Sequence, residues 1–245
     1  MKINVWSDFV CPFCYIGKRR LEAALDKFPH KDQVTIQFKS FELDPNAAKE
    51  AGKNIHEVLA AKYGMSIEQA KAANANVGEQ AASAGLTFNF DKMKPTNTLD
   101  AHRLAKFAGE KGKEAELTER LLKAYFTDSL FISDHNVLAE IAGEVGLNKE
   151  EVLAFLASDR FTEEVRTDEE EARQLGVQGV PFFVFNDKYA VSGAQPVEAF
   201  TSALQKVWEE ETGKPVLQNL SVDSVSGAFC TDEGCDVPDE RFHKK

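Results

Sequence analysis

Near the start of the chain two cysteines stand in the run Cys11-Pro12-Phe13-Cys14. A Cys-x-x-Cys pair that opens a helix has a definite chemistry. A thiol at a helix N-terminus faces unsatisfied backbone N–H groups and the positive end of the dipole, which favours the thiolate near neutral pH. Cys11 is therefore the expected nucleophile. Cys14 lies one turn deeper on the same face, so the two sulfurs can cycle between dithiol and disulfide by thiol–disulfide exchange. Pro12 is well tolerated at a first helical position and holds the turn in register. The same spacing also occurs in zinc half-sites and in incidental thiol pairs. A structural zinc site, however, draws its cysteines from loops or knuckles, and a proline-started helix is a poor knuckle.

The other two cysteines, Cys230 and Cys235, lie near the end of the chain in Cys-Thr-Asp-Glu-Gly-Cys. Gly234 can supply a turn, so a local disulfide is accessible to them. Asp232, Glu233 and Asp236 disfavour a thiolate there, which makes these sulfurs slower nucleophiles than Cys11. They are read as an auxiliary redox pair, with two inert thiols, a static tail clasp or a zinc-binding pair as the alternatives. Four cysteines in 245 residues are too few for a disulfide-stapled scaffold.

Around these thiols the composition is that of an ordinary globular chain. With 29 basic against 40 acidic side chains and a net charge of −11, it lacks the basic footprint of a nucleic-acid binder or an anionic-membrane binder. No run approaches the ~20 apolar residues of a membrane span. The first residues show no charged segment followed by an apolar one, so a cytoplasmic location is expected.

The elements that must position the dithiol follow from hydrophobic periodicity. Ile3 and Val5 alternate with polar neighbours over 2–6, a short strand, and the helix opened by Pro12 runs to about Phe28. Val34, Ile36 and Phe38 mark a second strand over 33–39. Between about Ile55 and Leu175 helical spacing recurs without a convincing strand, most clearly over 66–84, 97–111, 114–129, 134–146, 148–158 and 161–175. Ser133-Asp134 before His135 is a plausible N-cap and Gly146 a plausible stop. Strands return at Phe182–Phe185 and Tyr189–Val191 around an Asn186-Asp187 turn, and a helix follows from Pro196 to about Glu211. The polar stretch beyond Gly213 shows no sustained period. The two strand-bearing ends are expected to pair into one four-stranded sheet with the helical block inserted between them, an α/β fold.

With this organisation, the chain resembles the DsbA-like thioredoxin-fold oxidoreductases, most closely their FrnE-like branch. The resemblance rests on an ordered set of stretches: Ser7-Asp8-Phe9-Val10-Cys11-Pro12-Phe13-Cys14-Tyr15-Ile16-Gly17, Ser40-Phe41-Glu42-Leu43-Asp44-Pro45, Asn97 through Leu104, Gly176 through Val184, and Ser192-Gly193-Ala194-Gln195. It implies a thioredoxin fold split by a large all-helical insertion. Residues 1–50 and 166–212 would form the two thioredoxin halves, 51–165 the insertion, and 213–245 a tail carrying Cys230 and Cys235.

The resemblance further implies a protein disulfide oxidoreductase or isomerase in which Cys11 attacks and Cys14 resolves. Protein or peptide thiols and a low-molecular-weight thiol or reductase would be its partners, with no metal or organic cofactor. It assigns Pro181 a cis peptide bond facing the dithiol and lets the Val180 backbone pair with an extended substrate strand. The plain alternative is that Val180-Pro181 merely starts an edge strand. The chain departs from strongly oxidising members at Phe13, where those resemble Pro-His.

Two further residues carry a possible role. Asp8, three residues before Cys11, is a candidate proton relay to Cys14 if buried, or else a solvated strand-end carboxylate. His102, in the helical insertion, is a candidate groove residue over the dithiol, or else a packed or surface histidine. Other functions open to the same sequence are a glutathione-dependent small-molecule isomerase or transferase, and a redox-sensitive zinc-binding chaperone. The intact Cys11/Cys14 pair argues against the first.

Overall fold

A computed structural model of the chain describes residues 1–49, 52–213, 229–231 and 234–236. The chain divides into two units, Met1–Glu211 and Thr212–Lys245.

In the first unit four strands form one sheet: β1 (Lys2–Ser7), β2 (Thr35–Ser40), β3 (Phe182–Phe185) and β4 (Tyr189–Ser192), in the order β2-β1-β3-β4. β1 and β2 are parallel, as a strand–helix–strand crossover requires, with Val5 opposite Phe38. β3 runs antiparallel to both β1 and β4. The β3–β4 turn places Asn186 and Asp187 at φ +48° and +53°, the tight hairpin that this dipeptide favours.

The strand period of two sends alternate side chains to opposite faces. Ile3, Val5, Phe183 and Phe185 pack with Leu21, Ala24 and Phe28 of α1 (Pro12–Asp26), and with Phe200, Leu204 and Val207 near the C-terminal end of the unit. Trp6 and Val184 turn the other way and meet Ala172 and Val177. The central strands are thus buried on both faces.

Between β2 and β3 the chain builds helices α2 (Ile55–Tyr63), α3 (Ile67–Ser83), α4 (Leu99–Glu110), α5 (Glu114–Phe126), α6 (His135–Glu144), α7 (Lys149–Leu156) and α8 (Thr162–Gln174). Apolar faces of α3–α7 close on a core that includes Leu104, Phe107, Leu121, Phe126 and Ile141. Phe9, Tyr15 and Ile16 enter the same core, so the start of α1 is wedged between insertion and sheet. The α9 helix (Val197–Thr212) follows β4.

Three readings from sequence need adjustment. Helix α2 was absent from the named helical runs, although Asn54 and Glu57 form a reciprocal capping box at its start. A boundary at 165/166 falls inside α8, whose Asp168 and Ala172 pack against the sheet. In the second unit, β5 (Phe229–Thr231) and β6 (Gly234–Asp236) form an antiparallel ribbon within the stretch read as lacking periodic structure. Segments this short cannot show a period.

Candidate active site

Cys11 is the N-cap of α1 at φ −91° and ψ 111°, with Pro12 at the first helical position. The Cys11 amide donates to the Asp8 carbonyl at 3.2 Å, and the Cys14 amide donates to the Cys11 carbonyl at 3.1 Å, which folds the dithiol segment into the first turn. Both cysteines are free thiols and both are buried, at 4% and 3% exposure. They differ in what surrounds them. The Cys11 Sγ–H donates to the Val180 carbonyl oxygen at 3.5 Å. Cys14 Sγ accepts a hydrogen bond from the Asp8 backbone N–H at 3.4 Å.

Burial pushes the Cys14 thiol well above its ordinary range, and the adjacent Cys11 sulfur pushes it further. The Asp8 N–H works against this shift, while the Asp8 carboxylate charge adds to it. Cys14 is held as a protonated thiol near neutral pH.

The Val180–Pro181 peptide is cis. Pro181 is buried and Val180 half-buried. The segment is held from behind by the Gly193 amide, which donates to the Pro181 carbonyl at 2.8 Å, and Arg20 of α1 donates to the Ala194 carbonyl at 2.5 Å. Alongside lies a concavity of about 400 Å³ lined by Gly176, Gln178, Gly179, Val180, Pro181 and Phe182 among others. Phe13, 38% exposed, is the apolar residue that the dithiol turn presents to solvent.

Asp8 is 1% exposed, so it is a buried carboxyl and not a solvated strand end. Its Oδ2 accepts from the Leu43 amide at 2.8 Å, and its Oδ1 faces His102 Nε2 at 3.3 Å. His102 does not line a groove over the dithiol. It is 3% exposed, its ring packs on Phe9 at 4.8 Å between centroids, and it reaches Asp8 from behind.

The structure thus gathers Asp8, Cys11, Cys14, Val180 and Pro181 at one end of β1 and β3, with His102 behind them. Cys230 and Cys235 are opposed in the β5–β6 register of the second unit. Glu42 was not singled out from sequence. Buried at 6% exposure, it pairs with Arg166 of α8 and accepts from Asn97 at 3.4 Å. Its only sequence signal was its place in the Ser40–Pro45 stretch. Among the described residues no helix is long and apolar enough to cross a membrane.

Comparison with known proteins gives the same frame. The chain is similar to a probable DsbA oxidoreductase from Streptomyces coelicolor, at 43% identity and a TM-score of 0.83, over 98% of this chain and 100% of that one. It is 28% identical to the uncharacterized protein YwbO of Bacillus subtilis over 211 residues, 82% of this chain and 94% of that protein. A 2-hydroxychromene-2-carboxylate isomerase shares the fold at 17% identity and a TM-score of 0.64, over 86% of this chain and 98% of the isomerase. Residues 2–205 match the model of the DSBA-like thioredoxin domain, and the chain belongs to that family.

Proposed function

We propose that this protein is a thiol–disulfide oxidoreductase acting on protein or peptide disulfides. The observation that carries the reading is the asymmetry of the dithiol. One sulfur sits at the N-cap of α1 beside the Val180 carbonyl, and the other is sealed in as a protonated thiol one turn deeper. Cys11 thiolate attacks a substrate disulfide, forming a mixed disulfide and expelling the first substrate thiolate. Cys14 then attacks Cys11 Sγ, yielding the Cys11–Cys14 disulfide and the second substrate thiol, which takes up the Cys14 proton. Two electrons pass from the dithiol to the substrate. The oxidising direction is the reverse.

The Val180 backbone and Pro181 would hold an extended substrate segment beside Cys11, with exposed Phe13 adding apolar contact. We further propose a cytoplasmic setting, in which a low-molecular-weight thiol or a reductase partner returns the pair to the dithiol.

The test is insulin disulfide reduction with single serine variants. Cys11→Ser should abolish turnover, and Cys14→Ser should accumulate mixed disulfides, because attack survives while resolution is lost. Equal trapping by both variants would sink the assignment.

A further inference from the structure

The resolving step poses a problem that the buried surroundings of Cys14 answer. For Cys14 to attack Cys11 Sγ it must lose its proton, yet it is enclosed, with a carboxylate close by. An anion forming there has one favourable contact, the Asp8 backbone N–H at 3.4 Å, and is opposed by the charge of the same residue's carboxylate. The partner of that carboxylate therefore decides how strongly it opposes the thiolate. That group is His102, with Nε2 3.3 Å from Asp8 Oδ1 and the ring fixed against Phe9.

We propose that His102 is a positioning residue of the resolving step: acting through Asp8, it draws the carboxylate charge away from Cys14 and so lets the buried thiol ionise when the mixed disulfide has formed. The inference rests on the function proposed above and adds to it a residue 94 positions from Asp8, in the helical insertion.

Three features support a built arrangement over a chance contact. Cys14, Asp8 and His102 are each no more than 3% exposed, so water screens none of their charges. The second Asp8 oxygen is engaged by the Leu43 amide, which leaves Oδ1 directed at the imidazole. The neighbouring charges are also accounted for. Glu42 is paired with Arg166. The Tyr125 phenol on α5 is pushed up by burial and by Asp8, and stays neutral. Lys39 and Lys106, beside a small cavity next to His102, are paired to Asp168 of α8, while burial pushes Glu114 up. Cys11 is the other group whose charge acts on Cys14. His102 is thus the group that answers the Asp8 carboxylate from the insertion.

The reaction with a chromogenic bis(nitrothiobenzoate) disulfide separates the two steps. Attack by Cys11 releases one nitrothiobenzoate, and resolution by Cys14 releases a second. The pH profile of the second release reads ionisation of Cys14. His102→Gln, which keeps a hydrogen-bond donor and cannot carry charge, should leave the first release unchanged. It should slow the second about tenfold at neutral pH and move its profile up by about one pH unit. Asp8→Asn should move the profile down, and the double variant should return toward wild type, because the two side chains act through one charge.

An unchanged second release in His102→Gln overturns the proposal. So does a slower second release in Asp8→Asn, which would make Asp8 a base that accepts the Cys14 proton. Should His102→Gln fail to fold, the Asp8→Asn profile decides by itself. If wild type releases only one nitrothiobenzoate, it is the resolving role of Cys14 that fails, a result distinct from either.

Discussion

Gly17 stands directly over Pro181: a Cβ built on Gly17 would lie 3.1 Å from Pro181 Cγ, 3.2 Å from Phe183 Cζ and 3.5 Å from Ala194 Cα. The approach of α1 to the cis-proline segment, and hence of Cys11 to the Val180 carbonyl, depends on a missing methyl group. Gly17 lies in mid-helix, where alanine would ordinarily be better by about 1 kcal/mol. Here the neighbours are a buried proline ring, a fully buried phenylalanine and a backbone atom, and none of them yields easily.

Gly17→Ala is therefore expected to destabilise the protein by about 1–2 kcal/mol net, as overpacking outweighs helix propensity. Thermal unfolding should show a fall of ~2–8 °C. Disulfide exchange should slow as well, since the strain falls between the two segments that frame Cys11. An increase in melting temperature would show that Pro181 can move aside freely.

Phe13 occupies the second x of the Cys-x-x-Cys turn and is 38% exposed. A phenylalanine offers the Cys11 sulfur neither a hydrogen bond nor a charge. The potential is expected below the ~−120 mV of DsbA and nearer the ~−270 mV of thioredoxin. Phe13→His should raise it by tens of mV by stabilising the reduced form. Equilibration of both proteins against glutathione measures this, and an equal or lower value in the histidine variant would contradict it.

The raised thiol of Cys14 also makes stability depend on pH. An unfolded thiol ionises near ~8.5, whereas the folded one holds its proton to higher pH. Between those values the folded state binds more protons, so stability falls as pH rises, by at most about 1.4 kcal/mol per pH unit for one group. Urea unfolding of the reduced protein at about pH 7 and about pH 10 should show a larger loss for wild type than for Cys14→Ala. The oxidised protein should lack this component, and an identical loss in all three would refute it.

Cys230 and Cys235 are directly opposed across the β5–β6 ribbon. Facing Cα atoms in an antiparallel ladder lie about 4.5–5.5 Å apart, within the range a disulfide spans. Mild oxidation should join the two, as peptide mapping would reveal. If the pair is auxiliary, Cys230→Ser/Cys235→Ser should keep Cys11 reactivity and turn over more slowly. Full turnover would reduce the pair to a clasp.

The redox pair was legible from sequence because its chemistry is local: three positions along one helical turn fix which sulfurs can meet. The strands were legible for a similar reason, since Ile3/Val5 and Val34/Ile36/Phe38 carry a period of two through segments long enough to show it. Most of the helical insertion was readable as well. Helix α2 begins where that block was read to start, at Ile55, but lay outside its clearest runs, and its strongest local signal is the Asn54/Glu57 cap.

Contacts between distant segments were another matter. That Asp8 is buried and that its oxygens meet Leu43, just after β2, and His102 of α4 is set by segments brought together from across the chain. A histidine with polar and apolar neighbours on one helix reads alike whether it faces a groove, solvent or a buried carboxylate. The chain's own order determined that a dithiol opens α1 in a split α/β fold. Tertiary packing decided what surrounds each sulfur, the Val180 carbonyl at Cys11 and the Asp8 amide and carboxylate at Cys14, with His102 brought to Asp8 across 94 positions of sequence.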